Sequence, residues 1–189
     1  MSNLKFYLLF FCSAIAVFTN TVVFAVNPAS NYPLDFYFGL GAGQSDFDFS
    51  EDADTDIDIG KIKAGVFIQE NIALEFNFGQ SLQESKLKNS NISVEVDSWF
   101  AAMIRLQSPH LNGFRIYFQG GYSEVELSQT DTYIPANNSD DTLNGATWSV
   151  GAEQKFNKTL PLWLYVDFNR INDTIRTNII DAGIRFGLD

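Results

Sequence analysis

From Asp35 to Leu188 the apolar residues of this chain recur at every second position, and hardly a window shows the three-and-four spacing of an amphipathic helix. Strict alternation places successive side chains on opposite faces of an extended strand, so the chain is constrained to β-structure with one greasy face per strand. In the segment Asp35 to Phe49, Phe36, Phe38, Leu40 and Ala42 lie on one face, while Tyr37, Gly39, Gly41 and Gly43 lie on the other. The same reading gives strands at Ile59 to Gln69, Ile72 to Gln80, Ile92 to Gln107, Gly113 to Leu127, Gly145 to Phe156, Leu160 to Asn169 and Thr177 to Leu188.

The connections between these eight strands alternate in length. Ser45 to Asp58, Ser81 to Asn91, Ser128 to Asn144 and Arg170 to Arg176 are long and polar, whereas Gln69 to Asn71, Ser108 to Asn112 and Asn157 to Thr159 are short turns. All long loops therefore fall at one end and all short turns at the other. An even-stranded antiparallel meander of this kind is the plan of an up-and-down transmembrane β-barrel.

Which face lies inside follows from size. The bulky set, among them Ile62, Phe76, Phe78, Ile104, Phe118, Val150, Leu164, Phe168 and Ile184, faces a set that carries Gly39, Gly41, Gly43, Gly65, Gly79, Gly121, Gly151 and Gly183. Eight strands enclose a lumen just wide enough for side chains, so the glycine face belongs inside and the Phe and Leu face on lipid. The opposite arrangement, a soluble lipocalin-like periplasmic barrel with an apolar ligand cavity, is the alternative. The inner face then carries a balanced network of six cations, Lys61, Lys63, Arg105, Arg115, Lys155 and Arg185, and six acids, Glu75, Glu95, Asp97, Glu153, Asp167 and Asp181. Balance is required there, because an unpaired charge in a narrow lumen costs several kcal/mol. Aromatic residues near strand ends, including Phe36, Phe114, Phe156 and Phe186 at the short-turn side and Phe47, Phe78, Tyr122 and Phe168 at the long-loop side, suit the two interfacial girdles.

Residues 1–25 read as an export signal: Lys5 precedes an apolar run from Phe6, and Val23-Phe24-Ala25 offers a cleavage site before Val26. The single cysteine, Cys12, sits within that run, so residues 26–189 form a barrel domain without thiols or disulfides. The chain holds 23 Asp and Glu against 12 Lys and Arg, a net charge of −11, which excludes a nucleic-acid partner that would demand clustered basic residues.

Strands of this kind resemble the outer-membrane protein A-like β-barrel domain of Gram-negative bacteria. The resemblance rests on the opening DFYFGLGAGQSDFDF, the hairpin KIKAGVFIQENIALEFNFG, and the closing WSVGAEQKFNKTLPLWLYVDFNRI with IIDAGIRFGL. It implies a cell outer-membrane location, outer-membrane lipid and lipopolysaccharide as surroundings, the barrel assembly machinery as partner during insertion, and a monomer. The family commonly ends in a terminal aromatic residue, whereas this chain ends Phe186-Gly187-Leu188-Asp189.

No motif indicates catalysis and none indicates a cofactor. The sole histidine, His110, follows Pro109 in a short turn, far from where a barrel hydrolase would need its base. In the first long loop Asp52, Asp54, Asp56 and Asp58 stand two apart, as in oxygen-ligand cation sites, but the glycine and glutamate positions of an EF-hand are unmet. These four are candidates for weak divalent binding that bridges to lipopolysaccharide phosphates. In the third long loop Tyr133, Ile134 and Pro135 are candidate partner contacts. The sequence thus points to a non-enzymatic outer-membrane barrel with a structural or surface-interaction role through acidic extracellular loops, with a narrow porin-like diffusion channel as the second possibility.

Overall fold

A computed structural model describes residues 34–48, 54–86, 92–109, 111–131, 139–156, 159–172 and 176–188. Nine strands account for nearly all of them. They are β1 (Asp35–Asp48), β2 (Asp54–Gln69), β3 (Ile72–Ser81), β4 (Ser85–Lys86), β5 (Ile92–Gln107), β6 (Phe114–Asp131), β7 (Ser139–Lys155), β8 (Leu162–Asn172) and β9 (Arg176–Leu188). All pairings are antiparallel, and each long strand pairs with its chain neighbours. Two contacts close the ring: β1 with β9, and β3 with β5. The two-residue β4 is only an annex on the upper end of β5. Eight long strands thus form a closed antiparallel barrel with no free edge, which satisfies every ladder hydrogen bond without a partner chain.

The short-turn end is set by local chemistry. Between β5 and β6 the backbone reverses at Asn112 (φ 53°) and Gly113 (φ 85°), with Leu111 and Phe114 exchanging hydrogen bonds of 2.7 and 3.0 Å. Two consecutive positive φ values define the type I′ hairpin that Asn-Gly favours. Gly113 therefore belongs to the turn, not to the strand expected to start there.

The strands are longer at the other end than the alternation of polar and apolar residues suggested. β1 runs to Asp48 and β2 begins at Asp54, so most of the expected first loop is strand. β6 reaches Asp131 and β7 starts at Ser139, which takes much of the expected third loop into the ladder. In the same way β8 and β9 extend to Asn172 and from Arg176, leaving three residues of the expected fourth loop between them. The cause is a polarity inversion. Toward the short turns the outer face is apolar: Phe36, Phe38, Leu40 and Ala42 on β1, and Leu162, Leu164, Val166 and Phe168 on β8, point outward. Ile116 is 56% exposed there, as a lipid-facing side chain must be. Past that belt the outward residues become Gln44, Asp46, Asp56, Asp58, Glu124, Glu126 and Asp140, and the inward ones become Phe47, Ile57, Ile59, Val125, Leu127 and Leu143.

The molecule is therefore two barrels in register on the same strands. The lower one is greasy outside and polar inside; the upper one, a crown, is acidic outside and greasy inside. Phe47, expected in an outer aromatic girdle, is fully buried in this upper core. The soluble-barrel pattern weighed against the membrane pattern is present after all, but only in the crown.

Candidate functional site

The lumen of the lower barrel is filled by an ionic network. Nine of the charges assigned to the inner face by alternation are buried there: Lys61, Lys63, Glu75, Arg105, Arg115, Glu153, Asp167, Asp181 and Arg185. Glycines at Gly41 and Gly151 make the room. A Cβ built at Gly151 would collide with the Asp167 carboxylate and the Tyr117 ring, and one at Gly41 with the Tyr165 hydroxyl.

Two carboxylates organise the network. Glu153 collects three guanidinium groups: Arg105 Nη2 at 3.0 Å, Arg185 Nη2 at 2.9 Å, and Arg115 Nε in direct contact. Asp167 collects Lys63 at 2.6 Å and Lys61 at 3.3 Å, and Lys61 also reaches Asp181 at 2.5 Å. Glu75 joins the two halves, 3.7 Å from Lys63 and 3.5 Å from Arg105. Tyrosines complete the coordination: the Tyr37 hydroxyl donates to Glu75 at 2.6 Å and that of Tyr117 donates to Asp167. Aromatic faces cover the cations, with Arg105 3.6 Å from the Tyr117 ring centroid and Lys63 3.7 Å from that of Tyr165. Sharing each carboxylate among several donors offsets the desolvation that a single buried pair does not recover.

Three of the expected members lie elsewhere. Glu95 and Asp97 were assigned inward by counting back in twos from Arg105. Between Val96 and Ser98 the β5–β6 register shifts by one residue. That bulge makes Asp97 the extra residue and reverses the phase, so Val94 and Val96 enter the core, while Asp97 is exposed and Glu95 is only half-buried. Asp97 instead accepts a hydrogen bond from Ser128. Lys155 keeps its phase but sits at the short-turn rim, half-buried, 5.9 Å from the Trp163 ring centroid. The six-to-six balance is thus five cations to four carboxylates within the buried set.

Above the network the lumen is closed by hydrocarbon. Phe47, Ile57, Ile59, Val94, Val96, Trp99, Met103, Val125, Leu127, Leu143, Ile171 and Ile179 form one cluster to which every long strand except β3 contributes. Alternation alone could have revealed it. In Thr55-Asp56-Ile57-Asp58-Ile59 the acids and the isoleucines alternate as cleanly as anywhere in the belt, but the acids made the stretch look like a loop.

The acidic loop candidates separate accordingly. Asp52 lies outside the described residues, Asp54 opens β2, and Asp56 and Asp58 are exposed on the outer face of that strand, where Asp58 accepts from Gln83 at 3.2 Å. Among the described residues no group of three or more His, Cys, Asp or Glu side chains converges as a metal site. His110, Tyr133, Ile134 and Pro135 lie outside the described residues, as do residues 1–25 of the expected signal.

Solved structures with the same fold include Neisserial surface protein A, at 14% identity and a TM-score of 0.62, with 80% of this chain and 96% of that chain covered. The N-terminal β-barrel domain of Pseudomonas aeruginosa OprF matches at 10% identity and a TM-score of 0.60, over 82% and 97% of the two chains. Ail, the attachment invasion locus protein of Yersinia pestis, solved with the heparin analogue sucrose octasulfate, matches at 9% identity and a TM-score of 0.56, over 82% and 100%. No curated protein sequence matches significantly. The family model described as the outer membrane protein beta-barrel domain matches residues 16–188, nearly the whole of the ring and belt described above; the chain belongs to that family and is a Gram-negative outer-membrane protein.

Proposed function

We propose that this barrel is a non-conducting, non-enzymatic anchor that holds a rigid acidic crown above the outer leaflet for contact with an extracellular partner. The observation that carries the reading is the two-layer closure of the lumen. An ion entering from the short-turn side meets a network in which all four carboxylates are already engaged by cations. An ion entering from the crown meets side chains such as Phe47, Ile57 and Val94, which are fully buried against one another. Neither layer offers a hydrated path, so the porin-like alternative finds no support in the lumen geometry.

The crown, by contrast, is built for display. Its wall contains paired strands: β6 continues nine residues beyond Tyr122, the first seven of them flanked by both β5 and β7. Its outward carboxylates Asp46, Asp56, Asp58, Glu124 and Asp140 are exposed, as is Asp97 at the bulge, and they outnumber Arg170, the one outward cation whose side chain is described on β1, β2 and β5 to β9. A predominantly negative field steers oppositely charged partners, which makes a cationic surface the expected partner class. Insertion through the barrel assembly machinery, removal of residues 1–25 and a monomeric state belong to the same proposal.

Planar-bilayer recording with simultaneous surface binding tests it. The expected outcome is no stable conductance step, together with salt-sensitive binding of a polycationic peptide that falls when Glu124, Glu126 and Asp140 are changed to the corresponding amides. Stable, ion-selective steps from the unmodified barrel would overturn the anchor reading in favour of a pore.

A further inference from the structure

The buried charges of the lower barrel do not cancel, and the excess can be located. Lys61 and Lys63 are matched by Asp167 and Asp181, which leaves Arg105, Arg115 and Arg185 to share Glu153 and Glu75. Three guanidinium groups therefore face two carboxylates, and one positive charge is left over. A charge shut away from water is costly until a counter-ion meets it, so this end of the network calls for an anion. The carboxylate already there has no capacity left. Arg105 Nη2 at 3.0 Å, Arg185 Nη2 at 2.9 Å and Arg115 Nε all stand on a single oxygen, Glu153 Oε1.

The surplus lies at the short-turn mouth of the lumen. Arg115 is the second residue of β6, Lys155 the last of β7, Trp163 the second of β8, and Arg185 the fourth from the end of β9. Arg105 is sealed, whereas the Arg115 side chain remains 10% exposed, and among the described residues only its Nε has an acceptor, Glu153. Lys155 is half-buried at the rim and forms no ion pair among the described residues. It is the diagonal neighbour of Arg115, because Arg115 pairs with Glu153 and the Lys155 amide donates to the Gly113 carbonyl at 2.8 Å. Diagonal neighbours start about 7–8 Å apart, and two long cationic side chains can close on one ligand from there. Trp163 walls the place, its ring centroid 4.2 Å from the Arg115 guanidinium and 5.9 Å from the Lys155 ammonium. Asp35 and Glu70, carboxylates on the β1 and β2–β3 side of the same rim, pair with neither cation among the described residues.

We propose that the short-turn mouth of the lumen binds a phosphate-type oxyanion from the periplasmic side, held by the terminal nitrogens of Arg115 and the ammonium of Lys155 against Trp163. A guanidinium edge beside an ammonium matches a group with several acceptor oxygens better than chloride, which offers only a point charge. Both cations belong to the inward phase of their strands, inside the ring, so the phosphate arrives on a soluble molecule and not on a bilayer lipid. The anion cancels the surplus charge without opening a path, because Arg105 and Glu153 close the lumen behind it. The site stands at the opposite end of the barrel from the acidic crown and does not depend on any partner bound there.

The test is phosphorus NMR of inorganic phosphate titrated into the full barrel in phosphatidylcholine nanodiscs, with chloride adjusted to hold ionic strength constant. The unmodified protein is expected to broaden the phosphate line saturably in the millimolar range. Arg115→Gln should weaken binding about tenfold, the loss of a charge-assisted contact, and Arg115→Lys should restore part of it. Lys155→Gln should weaken it about threefold, the scale of a partly exposed pair; lying outside the buried network, it keeps the test open should Arg115→Gln fail to fold. Folding of each variant is shown by its faster migration on an unboiled gel. A second readout separates surplus charge from structural pairing. Without phosphate, Arg115→Gln leaves two guanidinium groups on two carboxylates, so its urea midpoint should be no lower than that of the unmodified barrel. No saturable broadening by the unmodified barrel, undiminished broadening by Arg115→Gln, or a steep fall in the urea midpoint of that variant overturns the proposal. Phosphate affinity should be unchanged in phosphatidylglycerol nanodiscs; a marked loss there would make the lipid headgroup the occupant and overturn the soluble source.

Discussion

At the scale of single residues the lumen is governed by how many cations each carboxylate serves. Glu153 is the common acceptor of Arg105, Arg115 and Arg185, and it is buried with all three. Glu153→Gln removes one charge and leaves three guanidinium groups facing one another at low dielectric. Breaking a buried network in this way costs about 3–5 kcal/mol, so the midpoint of urea unfolding in detergent should fall substantially. Asp97→Asn, by contrast, alters an exposed bulge residue and should change the unfolding free energy by less than about 0.5 kcal/mol, leaving the midpoint nearly where it was. Gly151 offers an independent check on lumen crowding. Gly151→Val drives a branched side chain into Asp167 and Tyr117, and overpacking of this kind costs about 1–3 kcal/mol. An unchanged midpoint for Gly151→Val would mean the lumen is looser than the contacts indicate.

At the scale of strands the deciding feature is phase. Counting in twos placed Lys61, Lys63, Glu75, Arg105, Arg115, Glu153, Asp167, Asp181 and Arg185 on one face, because these segments are uninterrupted ladders. The count failed at Glu95 and Asp97, where one inserted residue on β5 reverses every side chain beyond it. No residue type advertises that bulge: Val96-Asp97-Ser98 contains neither glycine nor proline. Loop boundaries failed for a different reason. Asp56, Asp58 and Asp140 are charged and resemble loop residues, although a strand that leaves hydrocarbon needs its polar side outward. Deleting Asp97 removes the extra residue and joins Val96 to Ser98, so an uninterrupted ladder should keep Val94 and Val96 inward and Glu95 outward. The deleted chain is expected to keep the unboiled gel shift and much of its resistance to urea; loss of both would show that Asp97 is not the residue that sets the phase.

At the scale of the whole molecule, one closed ring of strands serves two solvents. Hydrocarbon selects Phe, Leu and Ile outside the lower barrel, and water selects carboxylates outside the crown, while the interior compensates with charge below and hydrocarbon above. The level of that exchange, with Phe168 and Ile180 below it and Arg170 and Asn178 above, is the expected upper edge of the hydrocarbon. Site-directed spin labels in reconstituted bilayers, with single cysteines placed at Ile116, Leu164, Asp56 and Glu124, test this directly. Labels at Ile116 and Leu164 should relax with oxygen, which partitions into lipid, and ignore a water-soluble nickel chelate; those at Asp56 and Glu124 should do the reverse. A lipid-type response at Glu124, or a water-type response at Leu164, would contradict the account.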